Sequence, residues 1–157
     1  MDVRMTVDAV TVSARVPVRY LLSDFLREQA NAGGVHVACG QGVCGACTVA
    51  VDGTAVRACL MLAVQADGAL VQTVASLPAL EGDEVSPGDL TRLQRAFREH
   101  HALQCGYCTP GLLVSTALFL AQNPAPSRAQ ILDHLNGHLC RCSGYAGIVA
   151  AIASLRR

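Results

Sequence analysis

Val3, Met5 and Val7 alternate with Arg4 and Thr6, a period-two pattern that predicts a half-buried strand. Val10, Val12 and Ala14 resume the alternation after a turn at Asp8-Ala9. Beyond Pro17 the apolar spacing turns helical. Leu21, Leu22, Phe25 and Leu26 share one face of a helix predicted over Tyr20 to Gln29, with Arg19, Arg27 and Glu28 outside. Thr48 to Val51 and Thr54 to Arg57 flank Asp52-Gly53, a strong hairpin signal. Leu70 to Val74 reads as a last strand. Together these predict a small mixed sheet carrying one helix.

From residue 89 onward the pattern is helical throughout. Leu90, Leu93, Ala96 and Phe97 line one side of a helix over Asp89 to His100. Gly111 to Gln122 is apolar nearly all round, as a central buried helix would be, and stops before Asn123-Pro124. Ser127 is placed to cap a helix running to about His134, and Ile148, Val149, Ile152 and Leu155 repeat at helical spacing over Tyr145 to Leu155. Four helices predict a small bundle. Between the halves, Ser76-Leu77-Pro78 and Glu84-Val85-Ser86-Pro87-Gly88 collect linker residues. The expected division is residues 1–76, a linker at 77–88, and residues 89–157. The fold class is therefore α+β, a sheet domain followed by an all-α domain.

Composition narrows the function classes. Apolar residues make up 52% of the 157 positions and charged residues 15%, enough to build a core. Lysine is absent, and 12 Arg balance 12 Asp plus Glu. A formal charge of zero gives no reason to expect a nucleic acid partner. With so little charge to keep copies apart, the apolar chain suits burial in a complex. Leu112 to Ala121 is the longest strongly apolar run and falls short of the roughly 18 residues of a membrane span. Met1-Asp2-Val3-Arg4 does not open a secretory leader, so the expectation is a cytoplasmic protein.

Eight cysteines, in two groups of four, carry the chemistry. The first group is Cys39-x4-Cys44-x2-Cys47-x11-Cys59. Its opening is the plant-type ferredoxin spacing for a 2Fe-2S cluster, in which a tight loop converges four thiolates on two irons. Gly40, Gly42 and Gly45 lie between the ligands, where left-handed backbone lets N–H groups approach sulfur. Structural zinc is the competing reading, although zinc sites usually show two short pairs rather than a triplet and a distant single. Thr48 rather than His follows Cys44-Gly45-Ala46-Cys47, which argues against c-type haem attachment.

The second group is Cys105-x2-Cys108-x31-Cys140-x1-Cys142. Three readings stay open on spacing alone. A thioredoxin-like pair at Cys105 and Cys108 needs a βαβ surround and leaves Cys140 and Cys142 without a role. Zinc held by all four is a second reading. A second iron–sulfur cluster between helix ends accounts for all four, with Gly106, Pro110 and Gly111 suited to close backbone approach.

Three segments together resemble one family. Cys39-Gly40-Gln41-Gly42-Val43-Cys44-Gly45-Ala46-Cys47-Thr48-Val49 is similar to the first-cluster signature of the molybdenum hydroxylase (xanthine oxidase) family. Gln104-Cys105-Gly106-Tyr107-Cys108-Thr109-Pro110-Gly111 and Leu139-Cys140-Arg141-Cys142-Ser143-Gly144-Tyr145 resemble its second-cluster signature. Order and spacing match the separate small iron–sulfur subunit, as in carbon monoxide dehydrogenase and in aldehyde-, quinoline- and purine-type oxidoreductases. The resemblance covers roughly residues 3–155.

The resemblance implies a ferredoxin-like β-grasp domain followed by a four-helix bundle, each with one 2Fe-2S cluster. It implies Cys39, Cys44, Cys47 and Cys59 as ligands of the first cluster, and Cys105, Cys108, Cys140 and Cys142 as ligands of the second. It implies a large partner subunit holding molybdopterin cytosine dinucleotide, approached by Gln104 and Cys142, and a medium FAD subunit. Electrons would pass singly from the molybdopterin centre through the second cluster to the first, then to FAD or another acceptor. No catalytic residue and no substrate site are expected on this chain. His36, Ala38 and His138 depart from the family's usual Lys, Gly and Asn. None of them replaces a Cys, and His138 is placed to tune the second cluster.

Other polar residues carry no separate reaction on this reading. His100, His101 and His134 read as surface or capping residues, since no nucleophile accompanies them. Arg141 either offsets cluster charge or makes a salt bridge, and Tyr107 and Tyr145 pack or hydrogen-bond beside the loops. No Gly-rich nucleotide loop follows a strand, so nucleotide cofactors belong to partners. The alternatives are a free-standing ferredoxin-like carrier, disfavoured by neutral charge and a second domain, and a zinc-stapled binding module.

Overall fold

In a computed structural model, which describes residues 1–82, 84–86 and 88–155, the chain begins with a hairpin. Strands β1 (Asp2–Val7) and β2 (Val10–Arg15) pair antiparallel across Asp8 and Ala9, whose φ angles of +48° and +70° give the turn its mirror-image twist. Asp8 then ties this turn to a distant segment: its carboxylate accepts from Thr73 N (2.7 Å), Thr73 Oγ1 (2.6 Å) and Ser76 Oγ (2.6 Å). Val3, Met5 and Val7 are buried as the alternation requires. β2 is an edge strand, and its Val10 stays exposed.

The helix expected from Tyr20 starts later. Helix α1 (Leu22–Asp24) runs directly into a π-turn at Phe25–Gln29. Tyr20 and Leu21 are held outside because their backbone serves the neighbouring loop: Tyr20 O accepts from Ala63 N (2.8 Å), and Leu21 bridges Leu62. Strands β3 (Thr48–Val51) and β4 (Thr54–Arg57) form the second hairpin on Asp52-Gly53. Strand β5 is Leu70–Gln72, shorter than expected, because Thr73 Oγ1 accepts from Ala75 N (3.2 Å) and caps a 3-10 turn at Val74–Ser76. The sheet order is β2-β1-β5-β3-β4, with β1 and β5 parallel. Leu22, Phe25 and Leu26 cover it and pack on Met5, Val49 and Val71 in one core. Burial of each such side chain contributes about 1.5–3 kcal/mol.

The segment expected as linker opens with a helical turn, α2 (Leu77–Glu81), which has Pro78 in its first turn and ends on left-handed Gly82. Leu77 is fully buried in the second core. Asp83 and Pro87 of the expected linker, and the C-terminal Arg156 and Arg157, lie outside the described residues.

Helices α3 (Arg92–Glu99), α4 (Thr109–Gln122), α5 (Arg128–Leu135) and α6 (Ala146–Ser154) build the bundle. α3 begins at Arg92 rather than Asp89 because Thr91 and Gln94 form a reciprocal cap, with Thr91 N donating to Gln94 Oε1 (2.9 Å) and Gln94 N to Thr91 Oγ1 (3.2 Å). Ser127 and Gln130 repeat the device at α5. Leu93, Phe97, Leu112, Ile131, Ile148 and Ile152 fill the second core. α4 is buried from Gly111 to Ala117, since it packs on the bundle and on β3. Among the described residues no helix is long and apolar enough to cross a membrane.

Candidate metal centres

Cys39, Cys44 and Cys47 sit on the loop leading into β3, and Cys59 follows β4. Gly40, Gly42 and Gly45 have φ of +62°, +74° and +75°, and the loop they curl turns N–H groups toward sulfur. Cys39 Sγ accepts from Gln41 N (3.3 Å) and Cys44 N (3.5 Å). Those N–H groups, Cys44 first, hold the Cys39 thiol down at about 6. Cys44, Cys47 and Cys59 are buried. Burial pushes Cys47 up to about 11, and the adjacent Cys59 adds to it. Within the quartet, Cys44 has the largest influence on Cys39, and Cys59 is a neighbour of Cys47.

Cys105 and Cys108 occupy the turn before α4, and Cys140 and Cys142 the segment between α5 and α6. Cys142 Sγ lies 3.6 Å from Cys105 Sγ, and Cys140 is a neighbour of Cys108. Burial raises Cys108 to about 12. Burial acts the same way on Cys140, but the Ser143 hydroxyl (3.0 Å) and N–H (3.4 Å) outweigh it and lower the thiol. The neighbouring Cys105 raises Cys142. Tyr145, itself left-handed at φ +66°, fixes the loop: its hydroxyl accepts from Cys140 N (2.8 Å) and donates to His138 O (3.0 Å). Gln104, Cys105, Arg141 and Cys142 are all exposed.

None of the eight cysteines is in a disulfide, so each quartet offers four sulfur donors. A cluster of two irons takes two thiolates per iron, and this donor set fits it.

The two ligand loops touch. Leu139 N, next to Cys140, donates to Cys44 O (2.9 Å), joining a residue of one quartet to the neighbour of a residue in the other by one hydrogen bond. Two glycines permit the approach. A Cβ on Gly111 would stand 2.3 Å from Gly45 O, and one on Gly45 would stand 2.4 Å from His138 Nδ1 and 2.7 Å from Gly137 O. Gly111 therefore serves contact with the first loop. On the other side His36 stacks on Tyr107 (centroids 4.6 Å), its Nδ1 meets Tyr107 O (2.7 Å), and Tyr107 Oη donates to Val37 O (2.9 Å).

The histidines divide. His100 ends α3 and His101 is exposed, in line with the surface or capping role expected. His134 differs from that expectation. It stacks on Phe119 at 4.4 Å and lies within 3.5 Å of Ser115 and Thr116 hydroxyls, drawn inward because α5 turns this position toward α4. His138 is buried, with Nε2 2.8 Å from Ser115 Oγ. Burial first, then the Arg57 charge, pushes His134 down to about 4 and His138 to about 3, so both are neutral at neutral pH. The sequence reading missed Arg57 and the pairing of His36 with Tyr107. A charged residue two positions before Cys59 was a local signal for the first, whereas a stack between residues 71 apart leaves none.

Residues 5–73 match the model of the 2Fe-2S iron-sulfur cluster binding domain, and residues 79–153 match that of the [2Fe-2S] binding domain. The chain is 42% identical over 152 residues to the nicotine 6-hydroxylase small subunit of Paenarthrobacter nicotinovorans, covering 97% of this chain and 87% of that protein. It is 44% identical to the caffeine dehydrogenase subunit gamma of Pseudomonas sp. (strain CBB1), covering 98% and 89%. Among solved structures, quinoline 2-oxidoreductase from Pseudomonas putida 86 aligns with a TM-score of 0.89 at 43% identity, over 98% of this chain and 90% of that one. Aldehyde oxidoreductase from Desulfovibrio gigas aligns with a TM-score of 0.86 at 37% identity over 99% of this chain, but only 17% of that chain, so there the same two domains form part of a larger polypeptide. With two cluster-binding domains in this order and relatives matched nearly end to end, the chain belongs to the family of small 2Fe-2S electron-transfer subunits of the molybdenum hydroxylases.

Proposed function

We propose that Cys39 and Cys44 hold one iron of the first cluster and Cys47 and Cys59 the other. Cys105 with Cys142 and Cys108 with Cys140 hold the two irons of the second. The contact of Cys142 Sγ with Cys105 Sγ (3.6 Å) and the Cys44 N–H on Cys39 Sγ (3.5 Å) are the observations that carry this reading. Bound there, the clusters supply one-electron transfer between a molybdenum centre and an acceptor on partner subunits. The chain's own residues hold the thiols, direct N–H groups at Cys39 and Cys140, and keep the two loops in contact through Leu139 and Cys44. The sheet unit (1–76) and the helical unit (89–157) each carry one cluster, with residues 77–88 between them.

The exposed edge formed by Gln104, Cys105, Arg141 and Cys142 faces the large molybdopterin-binding subunit, with Gln104 and Cys142 nearest the pterin. A medium FAD subunit receives the electrons beside the first cluster. Eight cysteines committed to iron–sulfur clusters and none to a disulfide suit a reducing compartment, and we place the complex in the cytoplasm. The test is a pair of variants in the assembled complex, with the dithionite-reduced protein followed by EPR. Cys47→Ser abolishes one spin-half signal and Cys108→Ser the other. A colourless protein holding stoichiometric zinc, or one signal lost in both variants, contradicts the reading.

A further inference from the structure

Arg57, at the end of β4, is not needed as a ligand, yet it reaches both ligand loops. Nε donates to Gly42 O (3.4 Å), between Cys39 and Cys44. One terminal nitrogen donates to Thr48 Oγ1, whose hydroxyl donates onward to Gly45 O (2.6 Å), between Cys44 and Cys47. The other donates to Gly137 O, three residues before Cys140. All three partners are neutral oxygens, and among the described residues no carboxylate pairs with this guanidinium. The side chain is half-buried.

A guanidinium keeps its charge in such a setting. A 2Fe-2S cluster with four thiolates is a net anion, and one-electron reduction adds one negative charge without making or breaking a bond. A fixed cation at short range therefore favours the reduced state, and charge beside a cluster is one of the levers on its potential.

We propose that Arg57 is a positioning residue with a second, electrostatic role: its fork fixes the first loop against the second, and its charge raises the reduction potential of the first cluster more than that of the second. Two of its three arms go to the first loop, and Arg57 lies two residues from Cys59, which sets that order. The proposal rests on the ligand assignment above. Iron content and signal number of the unmodified complex test that assignment alone, and the variants test Arg57.

The experiment is an EPR-monitored redox titration of the assembled, iron-loaded complex carrying Arg57→Met or Arg57→Lys. At fixed potential Arg57→Met lowers the reduced-to-oxidised ratio of the first cluster about tenfold, equivalent to about 59 mV for a one-electron couple, with a smaller fall in the second. Arg57→Lys keeps the charge, and its first cluster stays within about threefold of the unmodified protein. An unchanged first cluster in iron-replete Arg57→Met overturns the proposal. So does an equal fall in both variants, which would assign the effect to the lost fork. If Arg57→Met fails to hold iron, Arg57→Gln, which keeps hydrogen-bond donors without the charge, takes its place: a fall of about tenfold in the first cluster supports the charge role, and an unchanged first cluster overturns it.

Discussion

The two quartets differ in what encloses them. Three of the four thiols of the first are buried, and Cys47 and Cys59 belong to the core of the sheet domain. In the second, Cys105 and Cys142 are exposed, with Gln104 and Arg141 beside them and the apolar side chains of Leu103, Tyr107 and Leu139 also open. The first loop is walled by its own sheet on one side and by α4 on the other, through Gly111. The second has two of its four thiols open to solvent. A site enclosed by its own chain forms with that chain's fold. On the proposed function, the open edge of the second quartet is the one the large subunit covers.

The contrast can be broken most sharply at the contact between the loops. Gly111→Val places a branched side chain where even a Cβ meets Gly45 O at 2.3 Å. It should destabilise the chain by about 3 kcal/mol, measured by chemical denaturation, and perturb both EPR signals together. A second test is pH. His134 has its pKa lowered by burial from 6.5 to about 4, so the unfolded chain binds a proton that the folded chain refuses. Stability is complete above about pH 6.5 and is lost as pH falls toward 4, by about 2 kcal/mol after allowance for partial exposure. His134→Phe, measured across that range, should reduce the slope and leave the part that His138, lowered to about 3, contributes.

Two smaller effects sharpen the comparison. An iron chelator applied to the isolated chain should remove the second signal about tenfold faster than the first, a barrier difference of about 1.4 kcal/mol. Assembly with the partner subunits should remove that difference. Ser143→Ala deletes the hydroxyl donor 3.0 Å from Cys140 Sγ. It should lower the potential of the second cluster by about 1 kcal/mol and leave the first in place, as read by redox titration.

Much of this was legible in the sequence because it is local. Asp8-Ala9 and Asp52-Gly53 announce their hairpins, Ser127 its helix, and the cysteine spacing its loop. Where local reading failed, tertiary partners had taken over the backbone: Tyr20 O accepts from Ala63 N in the neighbouring loop, which leaves Leu21 as the helix N-cap, and Thr73 ends β5 by capping the next turn. The linker composition of 77–88 concealed α2, whose Leu77 is recruited by the second core. His134 read as a surface residue because its burial depends on how α5 sits on α4, which no single segment encodes. The seam was equally hidden. Gly45 read as a residue of the first cluster loop and Gly111 as the start of a buried helix close to the second cluster, yet each is required by the other domain.

The central claim is that both quartets hold a two-iron cluster in the same chain, one enclosed and one open. Double integration of the EPR spectrum of the dithionite-reduced native complex, set against its iron content, tests it most directly. About four irons per chain with two spin-half signals, each integrating to one spin per chain, is the expected result. An iron-replete sample that yields a single signal would contradict it.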